Sequence, residues 1–158
     1  MISFDAVIAT PLPGAWRLGF GLRDGRLQAL DFLPARMALI APREPEVERI
    51  AELLTEYFND PHVAFQKIPL SPARTPFQAR VREVMSAIPV GQTRSYGELA
   101  GQLRTASRAV AGACRANPVA LIVPCHRVVS ASGPGGFMGA LDGPPLELKA
   151  WLLKHESV

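Results

Sequence analysis

The sequence predicts an α+β protein in which an N-terminal α/β lobe, residues 1–74, precedes a mostly helical C-terminal domain, residues 75–158. Two patterns predict the first lobe. Apolar residues alternate through residues 16–22, as in a half-buried strand, and they recur at helical spacing through residues 46–58. Two helix-start signals and a closely spaced pair of helical segments within residues 75–116 predict the second.

The first third of the chain is predicted to be β-structure that includes one hairpin. Residues 3–9 are apolar enough for one strand, and the Arg-Asp-Gly turn at residues 23–25 lets residues 26–32 return as the partner of the strand before it. The proline-rich residues 33–45 are predicted as a loop. Residues 64–70 are predicted as one more short strand.

A proline-rich linker at residues 72–76 precedes the second lobe. Within that lobe, capping signals mark the starts of two predicted helices. Residues 75–78, Thr-Pro-Phe-Gln, combine an N-cap, a proline at the first helical position and a glutamine that completes a capping box. Residues 95–98, Ser-Tyr-Gly-Glu, form a second capping box and start a short helix. After a tight turn at residues 104–105, a helix is predicted over residues 106–116, ending at an Asn-Pro pair.

The distribution of charge favours a phosphate-binding surface in the second lobe. Residues 1–90 carry ten basic and ten acidic side chains, whereas residues 91–158 carry seven and four, so the whole net charge of +3 lies there. Residues 92–127 contain five arginines and one acid. Two short helices across a tight turn, with arginines on the second, make a helix-turn-helix candidate, although such a pair can also be a packing unit with a solvated basic face.

The compartment and the cysteines limit the chemistry. No apolar run is long enough to span a membrane, and no secretory signal is visible, so we expect a cytoplasmic protein, nucleoid-associated in a bacterium. Cys114 and Cys125 lie eleven residues apart. In a reducing compartment they are not expected to form a disulfide, and two thiols at that spacing make no metal site. A reactive thiol is the interpretation that these arguments leave, and no cofactor is expected.

An apolar run over residues 121–129 brings a cysteine and a histidine side by side. Cys125 and His126 stand between Pro124 and Arg127. The thiolate is the attacking form of a thiol, and a neighbouring imidazole raises its population at neutral pH. The alternative is an inert buried cysteine beside a surface histidine.

Residues 124–128, Pro-Cys-His-Arg-Val, resemble the active-site signature of the methylated-DNA–protein-cysteine methyltransferases, the O6-alkylguanine-DNA alkyltransferase family. The similarity continues at residues 88–100, which resemble the beginning of the family's helix-turn-helix. Residues 108–110 and 117–118 resemble its recognition helix and asparagine hinge, and residues 136–156 its closing loop and last helix. The resemblance implies that the N-terminal lobe is ribonuclease-H-like.

The resemblance implies DNA repair by direct, stoichiometric transfer of an alkyl group, chiefly methyl, from O6 of guanine to Cys125, with O4 of thymine as a second candidate substrate. His126 is then the base that acts through a water, and Glu156 orients it. Asn117 braces the hinge. Without the resemblance, Glu156 reads as a solvated carboxylate and Asn117 as a plain helix stop.

The same resemblance implies base flipping, because the target atom is buried in the duplex stack. Arg108 resembles the arginine that fills the vacated space, and Tyr96 the aromatic residue that crowds the 3′ phosphate. Ser95, Ala109 and Arg115 complete the implied DNA-binding set. The alternatives are a phosphate-contacting arginine and a core tyrosine.

The implied base pocket consists of Tyr96, the backbone of Val128, and Phe137 or Met138 against the base. Phe137 and Met138 stand where the family usually has tyrosine followed by serine or glycine, so a hydroxyl is lost. The turn at residues 104–107 is about two residues shorter than usual. Residues 142–148 are expected to form an extra loop.

The implied partner is double-stranded DNA that contains O6-alkylguanine, bound by a monomer with no membrane association. A second hypothesis is an alkyltransferase-like module that binds DNA damage without transfer, although those relatives lack the cysteine of this motif. A cysteine–histidine hydrolase would not need the arginine-bearing helix pair. A helix-turn-helix regulator would not need the Cys-His pair.

Overall fold

The computed structural model describes residues 3–157 and divides the chain into two compact units. One comprises Met1–Ser71 and Pro118–Ile122, and the other Pro72–Asn117 and Val123–Val158. Helices and small sheets occur in the same chain, which confirms the α+β class. The return of Pro118–Ile122 to the first unit has no counterpart in the two contiguous domains predicted from the sequence, whose limits stay a prediction.

The first unit contains a three-stranded antiparallel sheet in the order β1-β2-β3, which includes the predicted hairpin. Its strands are β1 (Ala6–Ile8), β2 (Arg17–Arg23) and β3 (Arg26–Leu33). Asp24 and Gly25 join β2 to β3 with φ of 52° and 75°. A two-residue hairpin turn needs positive φ at both positions, and an Asp-Gly pair is well suited to it. This local signal explains why the hairpin was predictable.

Helix α1 (Pro45–Asn59) follows the loop and matches the predicted helix within a residue at each end. Its buried face repeats at helical spacing and consists of Val47, Ile50, Leu54 and Tyr57. The segment Pro118–Ile122 adds to the sheet at its far edge, where Leu30 donates its N–H to Pro118 O at 2.9 Å. The sheet therefore gains a partner from a distant part of the sequence.

The prediction of a strand over residues 64–70 is wrong. Phe65–Lys67 is a single 3-10 turn, closed when Ile68 N–H donates to Phe65 O at 3.0 Å. Only Leu70 forms an isolated bridge, to Leu27. Pro69 has no N–H for a ladder, and local turns use the amides before it, so the segment cannot pair along its length.

The second unit begins with three helices, of which the first two start at the predicted N-caps Thr75 and Ser95, whereas the N-cap of the third, Ala106, makes no side-chain capping bond. They are α2 (Pro76–Ser86), α3 (Tyr96–Leu103) and α4 (Ser107–Arg115). The Thr75 hydroxyl accepts from Gln78 N–H at 3.0 Å before α2. This capping hydrogen bond holds the start of α2.

Ser95 and Glu98 form the complete capping box predicted for α3. The Ser95 hydroxyl accepts from Glu98 N–H at 3.0 Å, and the Glu98 carboxylate accepts from Ser95 N–H at 3.1 Å. Two backbone donors that the helix itself leaves free are thus satisfied. The box fixes the start of α3 and with it the position of Tyr96, the first residue of the helix.

The connection between α3 and α4 is only three residues long. Arg104 ends α3 in the left-handed conformation, with φ 54° and ψ 50°. Its N–H points to Gly101 O, and Thr105 N–H donates to Ala100 O at 2.9 Å, which is the hydrogen-bond pattern of a Schellman motif. This reversal lets a short turn join the two helices of the predicted helix-turn-helix.

Two features of the second unit differ from expectation. Residues 142–148 are not a loop, because α5 (Pro144–Glu156) begins within them and already buries Leu148. Proline is favoured at the first position of a helix, so Pro144 starts α5 instead of lengthening the loop. A parallel pair of two-residue strands, β4 (Arg94–Ser95) and β5 (Val128–Val129), was not predicted.

Among residues 3–157, no helix is both long enough and apolar enough to cross a membrane.

The capping box predicts the effect of Ser95→Ala. The substitution removes the hydroxyl that accepts from Glu98 N–H, so the free energy of unfolding should fall by about 1 kcal/mol. Ser86→Ala, at the exposed last residue of α2, is the control and should change little. Urea unfolding of both variants measures the difference, and equal stabilities would contradict the role of the cap.

Candidate active site

The centre of the site is the 3-10 turn Cys125–Arg127, whose three side chains are all buried. Cys125 N–H donates to Val123 O at 2.8 Å, and Arg127 N–H donates to Pro124 O at 3.0 Å. With three residues per turn, successive side chains point in directions about 120° apart. Cysteine, histidine and arginine therefore reach three different surroundings from one short turn.

His126 and Arg127 both bind the carboxylate of Glu156, the last residue of α5. His126 Nε2 lies 2.8 Å from Glu156 Oε2, and Arg127 Nε donates to Oε1 at 2.8 Å. Arg127 Nη2 also reaches Oε2 at 3.1 Å. Sequence reasoning brought His126 and Glu156 together but missed Arg127, whose position inside the motif was the available signal.

Arg127 is also tied to the backbone at the end of α2. Its Nη1 donates to Ile88 O at 2.7 Å, so three of its nitrogens have partners. The planar guanidinium suits a carboxylate because two parallel hydrogen bonds form at once. A buried acid and a buried base are thereby held as a neutral pair.

Burial lowers the pKa of His126, and the hydrogen bond to Glu156 opposes this effect. Since Arg127 already balances the charge of Glu156, desolvation prevails and we assign a neutral imidazole. Nε2 then carries the proton and donates to Glu156, which leaves the lone pair on Nδ1. His126 Nδ1 is buried with no hydrogen-bond partner among the described residues, and so it is available as a base.

Burial raises the pKa of the Cys125 thiol, while a hydrogen bond with the Asn117 side chain and the charge of Lys149 act against that rise. The expectation that a neighbouring histidine raises the thiolate population at rest is therefore wrong for this site. For a fully buried sulfur, the loss of solvation disfavours the thiolate more than the neighbouring groups favour it. Cys125 is therefore a thiol at neutral pH.

Cys114 lies on α4 in a different environment. Burial raises the pKa of its thiol to about 12, and its sulfur contacts Met85 Sδ at 3.6 Å. In the part of the chain that the structure describes, no histidine or carboxylate is hydrogen-bonded to the Cys114 sulfur. Cys114 is a packed, neutral thiol.

Asn117 closes the chain segment between α4 and the active-site turn. Its Nδ2 donates to Val123 O at 2.9 Å. This hydrogen bond spans Pro118–Ile122, the five residues that belong to the first unit. Its side chain also hydrogen-bonds with Cys125. The predicted hinge asparagine thus contacts both the backbone before Cys125 and the Cys125 side chain.

Lys149 is a fully buried cation that sequence reasoning left without a role. Its ammonium donates to Val128 O at 2.7 Å and to Gly136 O at 3.0 Å, and lies 6.0 Å from the centre of the Tyr96 ring. Burial lowers its pKa to about 8. Lys149 clamps β5 to the loop that follows it.

The predicted pocket residues are placed unequally. Phe137 is buried, whereas Met138 is 43% exposed with φ of 54°, so Phe137 is the one that faces inward. Tyr96 is half-buried against Gly135. Val128 N–H already donates to Cys125 O, and its carbonyl accepts from Lys149. A guanine contact at Val128 would therefore use the second lone pair of that carbonyl.

Comparison with known proteins identifies the family. The family model for the DNA-binding domain of 6-O-methylguanine DNA methyltransferase matches residues 76–158, more than half of the chain. The chain belongs to the methylated-DNA–protein-cysteine methyltransferase family.

Relatives and solved structures agree with this assignment. A methylated-DNA–protein-cysteine methyltransferase of Shigella flexneri is 34% identical over 94% of this chain and 92% of the relative. A protein of Thermus thermophilus named DNA base-flipping protein is 42% identical over 73% of this chain and 80% of its own. The Mycobacterium tuberculosis OGT solved in complex with DNA is 32% identical, has a TM-score of 0.76, and covers 96% of this chain and 91% of that one.

The DNA-binding residues implied by the family lie on α3 and α4. Arg108 and Arg115 are exposed on α4, Ala109 is half-buried beside them, and Ser95 is the N-cap of α3 next to Tyr96. The exposed arginines are separated by two helical turns, so they share one face of α4. Within residues 3–157, no three histidine, cysteine or acidic side chains come together as a metal site.

The buried pair predicts the effect of Glu156→Gln. The variant leaves Arg127 buried without its counter-charge, so the free energy of unfolding should fall by about 3–5 kcal/mol. Glu147→Gln, at an exposed position of the same helix, is the matched control. Combining Glu156→Gln with Arg127→Met should recover part of the loss, because the unpaired cation is then removed.

Denaturant unfolding of the single and double variants forms a double-mutant cycle. A single variant as stable as the parent, or additive losses in the double variant, would show that the pair is not coupled.

Proposed function

We propose that this protein repairs duplex DNA by transferring an alkyl group, chiefly methyl, from O6 of guanine to Cys125 in a single turnover. The observation that carries the proposal is the pairing of a buried thiol with the neutral His126, whose Nδ1 is available and whose Nε2 is held by Glu156. Membership of the family, and a relative solved with DNA, support a DNA substrate.

In the proposed reaction, the attacking thiolate of Cys125 forms only when the alkylated base is bound. The Cys125 proton passes, through a water, to His126 Nδ1, and the sulfur attacks the carbon attached to O6. The S–C bond forms as the C–O6 bond breaks, and the electron pair of that bond leaves with guanine. His126 then returns the proton toward the departing base, so charge and atoms balance.

Glu156 and Arg127 set the strength of the base. When His126 takes up a proton it becomes an imidazolium, and the carboxylate at 2.8 Å stabilises that charge. Arg127 limits this effect by sharing the same carboxylate. The imidazole is thus neutral before the reaction and able to hold a proton during it. His126 is the base, and Glu156 positions it.

The base must reach the buried sulfur, which requires extrusion from the stack. Exposed Arg108 is suited to fill the space that the flipped nucleotide leaves. Tyr96 lies at the start of α3 and crowds the adjacent phosphate. Asn117 fixes the backbone just before Cys125. In the pocket, Phe137 lies against the base with Tyr96, and O4 of alkylated thymine is a second candidate substrate.

The second candidate function is binding of damaged DNA without transfer. The Thermus thermophilus relative is named DNA base-flipping protein, a name that mentions no transfer. The presence of Cys125 with its base favours transfer. Because nucleophile, base and orienting acid lie in one unit of one chain, a monomer suffices for the reaction.

The proposal predicts that one chain accepts one alkyl group, on Cys125 and not on Cys114. After reaction with O6-methylguanine duplex, peptide mass spectrometry should show one added CH₂ group on the Cys125 peptide alone. Cys114→Ser should transfer nearly normally, because its thiol has a pKa of about 12 and no base. Cys125→Ala should bind DNA without transfer. Label on Cys114, or repeated turnover, would overturn the mechanism.

Extrusion predicts that Arg108→Ala loses more activity on duplex than on the free base analogue O6-benzylguanine. Arg108 stabilises the extruded state, and extrusion costs a few kcal/mol only where a stack exists. The ratio of the two transfer rates is measured for the variant and for Arg23→Ala, which removes an exposed arginine from β2. Equal losses on both substrates would refute the assignment.

A further inference from the structure

Arg104 occupies a position in the fold that suits glycine better than arginine. It is the residue after the last turn of α3, and its φ of 54° places it in the left-handed region. A side chain with a Cβ is crowded there, whereas glycine is not, which is why glycine usually follows a helix in a Schellman motif. The chain therefore keeps arginine at this turn at a cost in stability.

No contact within the protein accounts for that cost. Arg104 is exposed, and within residues 3–157 its guanidinium has no hydrogen-bond or ion-pair partner. The acid of α3, Glu98, is engaged in the capping box at the other end of the helix. Glu83 of α2 lines a groove with Leu99 and Gln102 and forms no ion pair with Arg104. The guanidinium is free to bind an external anion.

The surroundings of Arg104 are basic. Arg80 of α2 donates its Nη2 to Leu103 O at 2.9 Å, which brings a second guanidinium to the same turn. Arg108 is exposed in the first turn of α4. The sequence has no acidic residue from Leu99 to Leu141. Three arginines therefore lie at or beside the turn, and the sequence that follows the turn has no carboxylate before Asp142.

Phosphate diester is the anion that fits this cluster. A guanidinium fork can donate two parallel hydrogen bonds to a phosphate, and contacts of this kind position a protein on duplex DNA. Arg104 precedes the helix whose Arg108 is assigned to the space that the flipped nucleotide leaves. A duplex that brings Arg108 to its stack places its flanking backbone along the turn.

We propose that Arg104 binds a backbone phosphate of duplex DNA beside the extruded nucleotide, and that the protein keeps this contact at the expense of a strained turn. This inference rests on the proposed function, since it requires α4 to lie on duplex DNA.

Arg104→Gly should change stability and binding in opposite directions. The turn loses its crowding, so Tm should rise by about 2–4 °C. Affinity for an unmodified duplex should fall, and the slope of log K against log salt should decrease by about 0.9, the value for one phosphate contact. Duplexes of two unrelated sequences should lose affinity equally, because a phosphate contact carries no base information.

Three variants complete the experiment. Arg104→Lys retains the cation and should retain the salt slope. Arg23→Ala removes an exposed charge from the first unit and should leave duplex affinity, salt slope and transfer unchanged. Arg104→Asn, which also tolerates the left-handed region, repeats the measurement if glycine loosens the turn. An unchanged salt slope in both Arg104→Gly and Arg104→Asn, or an equal loss in Arg23→Ala, would overturn the contact.

The two proposals fail in distinguishable ways. Transfer from O6-benzylguanine to Cys125 is measured on the parent protein in the same series. Absence of that label contradicts the proposed function. Its presence, together with a salt slope that does not depend on residue 104, contradicts only the phosphate contact.

Discussion

The active site depends on one buried interaction, the double contact of Glu156 with His126 and Arg127. A lone buried carboxylate would be driven to take up a proton, and a lone buried guanidinium would stay charged at a large desolvation cost. Together they form a neutral pair that still has an oxygen directed at the imidazole. The histidine therefore stays neutral, keeps its tautomer and has a charge nearby for the moment when it takes up a proton.

The same interaction links the last helix to the active-site turn. α5 buries Leu148 and Leu152 along its length and ends at Glu156, so the carboxylate arrives only when the helix is docked. Lys149, on the same helix, ties β5 to the following loop through two carbonyls. The position of the base and the shape of the pocket are consequently set by one element.

What the sequence could predict was local. The Asp24-Gly25 turn and the Ser95 capping box depend on residues two or three positions apart, and both are present. The family motif indicated Cys125 and His126 because these residues are adjacent. Local patterns fail where a partner is distant: Arg127 binds a residue 29 positions away, and the two-residue strands β4 and β5 are too short to show alternation.

A buried thiol with a raised pKa suits a reaction that can occur only once in each molecule. The thiolate is the form that oxidants and adventitious alkylating agents attack, so a site that maintained it permanently would lose molecules before they met a lesion. Here burial raises the pKa of the Cys125 thiol and lowers the pKa of His126, and Arg127, which shares Glu156, adds to the second effect. In the proposed reaction, deprotonation of Cys125 accompanies the arrival of an alkylated base. In the proposed reaction, selectivity for the lesion follows because burial keeps the Cys125 thiol protonated until substrate binds.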